Sequence, residues 1–226
     1  MAARLRPLEG IGADRLLLHE IFGSIQGEST HAGRPCTFVR TTACNLRCTY
    51  CDTRHAFKGG TSYSLGEVHA AVDGLGLSVV EITGGEPLLQ PAVLPLMQQL
   101  CDAGYTVLLE TSGSLSVAAV DPRVHKIIDL KTPSSGELAA NDLTNLQRLS
   151  RLDEVKFVLG SRADYDWAKQ VLQAHRLADK ATVLMGTVFD TVPLAELAAW
   201  IVADRLPVRM QLQLHKYIWD PQRTGV

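Results

Sequence analysis

The sequence predicts an α/β fold carried mainly by a parallel sheet, and two observations predict it. Short, mostly apolar runs rich in β-branched residues recur along the chain, and stretches with helical periodicity separate them. Because the runs are apolar at successive positions, each is expected to be covered on both faces, as interior parallel strands are. Strand and helix in alternation then argue for a βα-repeat architecture.

The strands are expected over 37–40, 79–83, 106–110, 126–130, 154–158, 182–185 and 211–214. Ser64-Leu-Gly-Glu67 has the spacing of a capping box, in which the serine accepts a backbone bond and the glutamate returns one, so a helix should start there. Val68, Ala71 and Val72 follow on one face. Further helices are expected over 92–103, 163–175 and 193–204; in the last, Leu194, Leu197, Ala198 and Ile201 recur at helical spacing and Pro193 suits a first turn. No internal repeat or low-complexity linker interrupts the chain, so a single domain over 1–226 is expected. Two irregular segments remain: 42–61, and 132–145 with its Pro133-Ser-Ser-Gly136 opening. The latter reads as an ordinary serine-capped loop or as a lid, and loops at strand ends are where α/β enzymes place chemistry.

With 22 basic against 24 acidic residues, the formal charge of -2 gives no broad cationic field for nucleic acid or an anionic membrane. The N-terminal Met1-to-Gly10 stretch lacks the apolar segment of a secretion signal, and no apolar run approaches the roughly 18 residues that span a bilayer, so a cytoplasmic location is expected. In a reducing compartment, a tight cluster among five cysteines points to a metal or catalytic site rather than a disulfide framework. Cys36 and Cys101 stand apart from that cluster and read as small buried hydrophobes.

Cys44-Asn-Leu-Arg-Cys48-Thr-Tyr-Cys51 brings three thiols together directly after an expected strand. Thiolates ligate iron-sulfur clusters, and three ligands on a four-iron cubane leave one iron open to something other than protein. Structural zinc is the competing reading and needs a fourth ligand, for which Asp52 or His55 is near in sequence. Zinc sites more often come as two separated pairs, so the spacing favours iron and sulfur.

CxxxCxxC is also the cluster signature of the radical S-adenosylmethionine (SAM) superfamily. Thr83-Gly-Gly-Glu-Pro87, one expected strand later, resembles its GGEP motif. Within that superfamily the chain resembles the 7-carboxy-7-deazaguanine synthase family over nearly its whole length. Glu20-Ile-Phe-Gly-Ser-Ile-Gln-Gly-Glu28, Gly33-Arg-Pro35, Phe38-Val-Arg40 and Cys51-Asp-Thr53 carry the resemblance in the first part of the chain. Glu110-Thr-Ser-Gly113, Asp129-Leu-Lys131, Pro133-Ser-Ser-Gly136 and Gln213-Leu-His-Lys-Tyr217 carry it in the rest. It implies an incomplete (β/α) barrel of the radical SAM type, with the cluster loop after the first strand and the site at the C-terminal strand ends.

The resemblance further implies conversion of 6-carboxy-5,6,7,8-tetrahydropterin to 7-carboxy-7-deazaguanine with loss of ammonia, in queuosine or 7-deazapurine biosynthesis. The implied cofactors are a 4Fe-4S cluster held by Cys44, Cys48 and Cys51, SAM on the open iron, and Mg²⁺. An electron from the cluster cleaves SAM to methionine and a 5′-deoxyadenosyl radical, which takes a substrate hydrogen. Matched by position, Ile25, Gln26, Gly27 and Glu28 line the pterin site, Thr83 touches substrate, and Arg40 holds the substrate carboxylate. Thr53 corresponds to the Mg²⁺ ligand, an oxygen donor suited to that hard cation. Gly85, Glu110, Asp129, Leu130, Lys131 and Lys156 fall along the SAM site, as does the loop after Met185. The Gly84-Gly85 pair, lacking Cβ atoms, suits a strand end that approaches a ligand. Partners implied are an electron donor such as flavodoxin or ferredoxin and a second copy of the chain in a homodimer.

Two departures from the family pattern are visible. The chain continues past its HKY motif over 219–226, which leaves a terminal-carboxylate contact open, and its cluster loop has the compact spacing. Other readings are a different small radical SAM enzyme, such as a glycyl-radical activase, and a zinc-stabilised module without catalysis. More prosaic readings of single residues also stand: His215 and Lys216 as structural groups closing a strand, Glu28 and Arg40 as a solvated pair, and Trp167, Trp200 and Trp219 as packing residues.

Overall fold

In chain order the strands are β1 (Arg15–Ile25), β2 (Pro35–Thr41), β3 (Thr61–Ser64), β4 (Val79–Gly84), β5 (Thr106–Thr111), β6 (His125–Asp129), β7 (Glu154–Leu159), β8 (Thr182–Thr187) and β9 (Arg209–Met210). The helices are α1 (Leu65–Leu75), α2 (Val93–Asp102), α3 (Arg162–Ala174), α4 (Leu194–Asp204) and α5 (His215–Ile218). The computed structural model describes residues 8–226; residues 1–7, most of the segment read above as lacking a secretion signal, lie outside the described residues. The strands form one open nine-stranded sheet in the order β3-β1-β2-β4-β5-β6-β7-β8-β9. Pairing is parallel from β2 through β4 to β9, whereas β1 runs antiparallel to both β2 and β3.

Period-two alternation gives the sheet two different faces. Val39, Val80, Ile82, Val107, Leu109, Ile128, Val155 and Phe157 point outward and form one core with Val68, Val72, Leu96, Met97, Leu100, Ala168, Leu172 and Leu197 of the helices. The inner face carries a small apolar layer of Cys36, Phe38, Val79, Leu108 and Ile127, and past it the strands turn polar. Helix α1 begins at the capping box expected from sequence, with Ser64 accepting from Glu67 N and Glu67 accepting from Ser64 N. Trp167 and Trp200 pack against the outer core, and Cys36 is fully buried.

Two features depart from the sequence reading. The expected strand over 211–214 is not one: after Gln211 N bonds Met185 O at 2.9 Å the chain leaves the sheet, and His215 and Lys216 open α5. The segment's polar groups go instead to the loop after β1, with Leu214 N donating to Gly27 O at 2.9 Å and Gln211 Oε1 accepting from Ser29 N at 2.7 Å. Strands β1, β3 and the two-residue β9 were not anticipated. A register shift between Leu18 and Glu20 breaks the alternation of β1, and β3 is a four-residue polar edge. The cluster loop therefore follows the second strand of the chain, which is the first of the parallel series.

Gln90 links these parts. Its buried amide accepts from Leu17 N at 2.8 Å and donates to Leu17 O at 2.9 Å and Thr42 O at 3.1 Å, tying β1 to the start of the cluster loop. Gln90→Ala strands buried backbone groups and is expected to lower stability by about 3 kcal/mol, read as a lower urea midpoint at unchanged m value.

Candidate active site

The same alternation that builds the outer core aims Arg40 of β2, Glu81 and Thr83 of β4, Glu110 of β5, Asp129 of β6 and Lys156 of β7 into the concave face. Register keeps them level, with Arg40 beside Thr83 and Asp129 beside Lys156. They line a cavity of about 460 Å³, near the C-terminal ends of the parallel strands. Cys44, Cys48, Cys51, Thr53, Ile25, Gln26, Gly27, Glu28, Gly85 and Lys131 line it too, as do Val188 and Phe189 in the loop after β8. Leu130 is the exception among the expected site residues: its side chain is fully buried in the outer core.

The cluster loop is shaped by its own backbone and by the segment after β6. Ala43 adopts φ 78° and donates to Ala56 O at 2.9 Å, and the Arg47 guanidinium bonds Cys44 O at 2.8 Å while stacking over Phe57. Thr49 bonds Ser135 O through its N–H at 2.9 Å and Ser134 O through its hydroxyl at 2.7 Å. Ser134 N donates in turn to Asp164 Oδ1 at 2.8 Å at the start of α3, so Pro133-Ser-Ser-Gly136 is a bracket between helix and cluster loop. The glycines of the GGEP segment answer first to this packing. A Cβ on Gly84, at φ 135°, would overlap Thr41 backbone, and one on Gly85 would overlap the Ala43 carbonyl. Glu86, fully buried, fixes the neighbouring turn by accepting from Thr111 Oγ1 at 2.8 Å and Ser112 N at 2.8 Å.

The floor of the cavity centres on Lys156, 4 % exposed. Its ammonium bonds Glu28 Oε2 at 3.0 Å and Glu110, and lies 3.7 Å from Asp129, which Lys131 also bridges at 2.8 Å. Burial opposes the charge on Glu28, yet Lys156 and the Gln213 amide outweigh it and hold the carboxyl below its ordinary range. Gln211 and Gln213 donate to Glu28 at 2.8 and 2.9 Å. Glu28 and Arg40 are thus not a pair. Arg40 bonds Glu20 through Nε at 2.7 Å and lies over the Phe22 ring.

The HKY segment closes one wall. Gly27 sits where a side chain would run into the His215 ring, and Lys216 bonds Asp52 at 2.7 Å. Burial works against the Asp52 charge, but the Lys216 ammonium overrides it and holds the carboxyl at about 2. His55 rests against the His19 ring, with centroids 5.0 Å apart. Of the two candidate fourth zinc ligands, Asp52 is therefore engaged by Lys216 and Thr53. Residues Pro221 to Val226, past the HKY motif, also line the cavity.

Sequence reasoning did not single out Glu81, Gln211 or the Asp52–Lys216 link. A signal for Glu81 was present: a lone carboxylate inside the apolar run Val79-Val-Glu-Ile-Thr83, where both faces were expected to be covered.

The residues suit a three-ligand iron-sulfur cluster with an amino-acid-bearing ligand beside it. Three thiols line the one cavity, burial raises Cys48 and Cys51 and pushes Cys44 up to about 11, and metal coordination takes the place of those protons. Asp129 Oδ1 is buried with no protein partner, an acceptor left for a ligand's N–H or O–H. An open, mostly parallel sheet with a cysteine triad after its first parallel strand defines the radical SAM class, and the Radical SAM superfamily profile matches residues 38–200.

A 7-carboxy-7-deazaguanine synthase of Chlorobaculum tepidum is 49% identical over 215 residues, covering 93% of this chain and 97% of that protein. One from Koribacter versatilis is 45% identical over 222 residues, covering 92% and 98%. The crystal structure of QueE from Escherichia coli superimposes with a TM-score of 0.72 over 87% of this chain and 94% of that one, at 23% identity, and so shares the fold. The chain belongs to the 7-carboxy-7-deazaguanine synthase family of the radical SAM superfamily.

Lys156→Met leaves Glu28 and Glu110 without their cation and is expected to destabilise the protein by about 3–5 kcal/mol near neutral pH. Glu28 has its pKa lowered, so the stability it contributes is present above the ordinary carboxylate value of 4.5 and fades as pH falls below it. Unfolding midpoints of the two proteins should therefore converge on acidification.

Proposed function

We propose that the chain converts 6-carboxy-5,6,7,8-tetrahydropterin to 7-carboxy-7-deazaguanine with loss of ammonia, using a 4Fe-4S cluster, SAM and Mg²⁺. The observation that carries this reading is that Gln26, Glu28, Arg40 and Thr83 line the same cavity as the three thiols. When bound, cluster and SAM supply the one-electron chemistry that removes a substrate hydrogen atom. Cys44, Cys48 and Cys51 hold the cluster, Gly85 and Asp129 to Lys131 border SAM with Leu130 contributing backbone, and Glu110 and Lys156 complete that pocket.

On the substrate side, Glu20 occupies only Nε of Arg40, which leaves both terminal guanidinium nitrogens for the substrate carboxylate. Ile25 and Gly27 shape the pterin slot, Gln26 backs it with an amide bonded to Glu81 and to Glu28 N, and Glu28 presents an ionised carboxylate to the polar edge of the heterocycle. Thr53, whose hydroxyl donates to Asp52 at 3.0 Å, keeps lone pairs and would hold Mg²⁺ as an oxygen donor.

The reading extends to a single domain, a homodimer, a cytoplasmic setting, and a flavodoxin or ferredoxin as electron donor, with the product entering queuosine for tRNA or another 7-deazapurine. Among the described residues no helix is long and apolar enough to cross a membrane. A glycyl-radical activase or a zinc module is disfavoured by relatives that match nearly the whole chain.

Anaerobically reconstituted and reduced protein should form 7-carboxy-7-deazaguanine from the tetrahydropterin and SAM, detected by mass spectrometry. Cleavage of SAM without that product would sink the substrate assignment. Arg40→Ala should raise KM for the tetrahydropterin by about 10- to 100-fold, the equivalent of one lost charged hydrogen bond, with a smaller change in kcat, and Arg40→Lys should recover only part of it. Thr53→Ala should weaken the Mg²⁺ dependence of turnover while the cluster absorbance stays intact; an unchanged magnesium titration would count against Thr53 as the ligand.

A further inference from the structure

Glu81 is a carboxyl that the proposed chemistry has not used. It sits in the middle of β4, 2 % exposed, on the inner face of the sheet. Gln26 Nε2 donates to its Oε2, and the pairing of Glu81 with Leu108 across β4 and β5 puts the Glu110 side chain on the same face at the diagonal position, within reach of a long side chain. Two carboxylates cannot share a hydrogen bond unless one of them carries a proton.

The surrounding charges say which one. Lys156 bonds Glu110 and Glu28, and Asp129 is met by Lys131 at 2.8 Å and by Lys156 at 3.7 Å, so both ammoniums of the floor are taken up by other carboxylates. The other neighbours of Glu81 bring no cation of their own: Cys36 and Phe38 from β2, Leu108 from β5, and Gln26 and Glu28 from the loop after β1. A charged Glu81 would be a fourth buried anion with nothing to balance it.

We infer that Glu81 is a neutral carboxylic acid in the working enzyme and that its proton, donated to Glu110, positions the Glu110–Lys156 pair at the cavity floor. This deepens the proposed function and rests on it for the reaction affected. Burial first, and the Glu110 charge second, push the Glu81 acid well above the ordinary carboxylate range, with Lys156 opposing them. Gln26 fits the same assignment, since its Nε2 donates to the Glu81 oxygen while its Oε1 accepts from Glu28 N at 3.0 Å. One proton thus aligns the loop after β1, β4, β5 and β7. Glu81 acts through Glu110 and is a positioning residue, with no contact to the reacting atoms required.

Folding takes up a proton at Glu81 between its ordinary value of 4.5 and its raised folded value, so stability is full below that interval and falls as pH rises through it. Glu81→Gln keeps a donor toward Glu110 and an acceptor for Gln26 but has no proton to lose.

The experiment pairs infrared spectroscopy of the reconstituted protein with pH profiles of turnover. Wild-type protein at neutral pH should show a protonated-carboxyl C=O band that is missing from Glu81→Gln and that titrates away in alkaline buffer. Glu81→Ala should lower kcat by about tenfold, the scale of a lost hydrogen bond to a charged group, and Glu81→Gln should recover most of it while flattening the alkaline limb of the wild-type profile. A spectrum with no band lost in Glu81→Gln overturns the inference, and so does a Glu81→Gln profile that keeps the wild-type alkaline limb. The infrared result does not depend on which product is made, so failure of the substrate assignment and failure of this inference are told apart.

Discussion

Lys156 rises from the middle of β7 into a space where carboxylates from the loop after β1, from β5 and from β6 converge. A buried ammonium and its carboxylates are each expensive to desolvate, and only close mutual contact offsets that expense. The arrangement therefore holds as a set. Glu28 keeps its place because Lys156 and two glutamine amides bind it, and those glutamines draw the 211–213 stretch away from the sheet edge. The lost strand and the formed floor are two results of one electrostatic demand.

A second constraint is purely steric and acts at the rim. The end of β4 lies so close to Thr41 and Ala43 that neither Gly84 nor Gly85 tolerates a Cβ, while Gln90 pins Thr42 from the other side. Cys44 follows immediately. Thiol placement is thus inherited from strand register, through three residues of tightly held backbone, and the bracket of Ser134 and Ser135 on Thr49 fixes the far side of the loop. Rigid support of this kind is what a multi-thiol site needs, because the ligands must converge without the metal doing all the ordering.

Much of this was legible in the sequence. Six parallel strands, the capping box at Ser64 and the cysteine loop announce themselves by local pattern, since apolar runs, caps and ligand spacing are short-range properties. β1 was hidden because its register shift and its polar residues His19 and Glu20 spoil the alternation. The stretch 211–214 looked like a strand for the opposite reason: its pattern is compatible with one, but its hydrogen-bond partners lie about 185 residues away in the loop after β1. The cavity residues were found by family resemblance, and Leu130 shows the limit of that route, because a matched position faces the outer core here. Glu81 went unread since its meaning lies in neighbours on other strands.

Strand β1 enters the sheet from outside the parallel series and carries the residues assigned to the pterin in the loop that follows it. Together with 211–217 it forms one wall of the cavity, whereas the thiols and the residues assigned to SAM come from the parallel strands and their own loops. The wall that faces the thiols is thus drawn from the two ends of the chain, some 185 residues apart, so the shape of the cavity depends on the closing of the whole sheet and not on any one local segment.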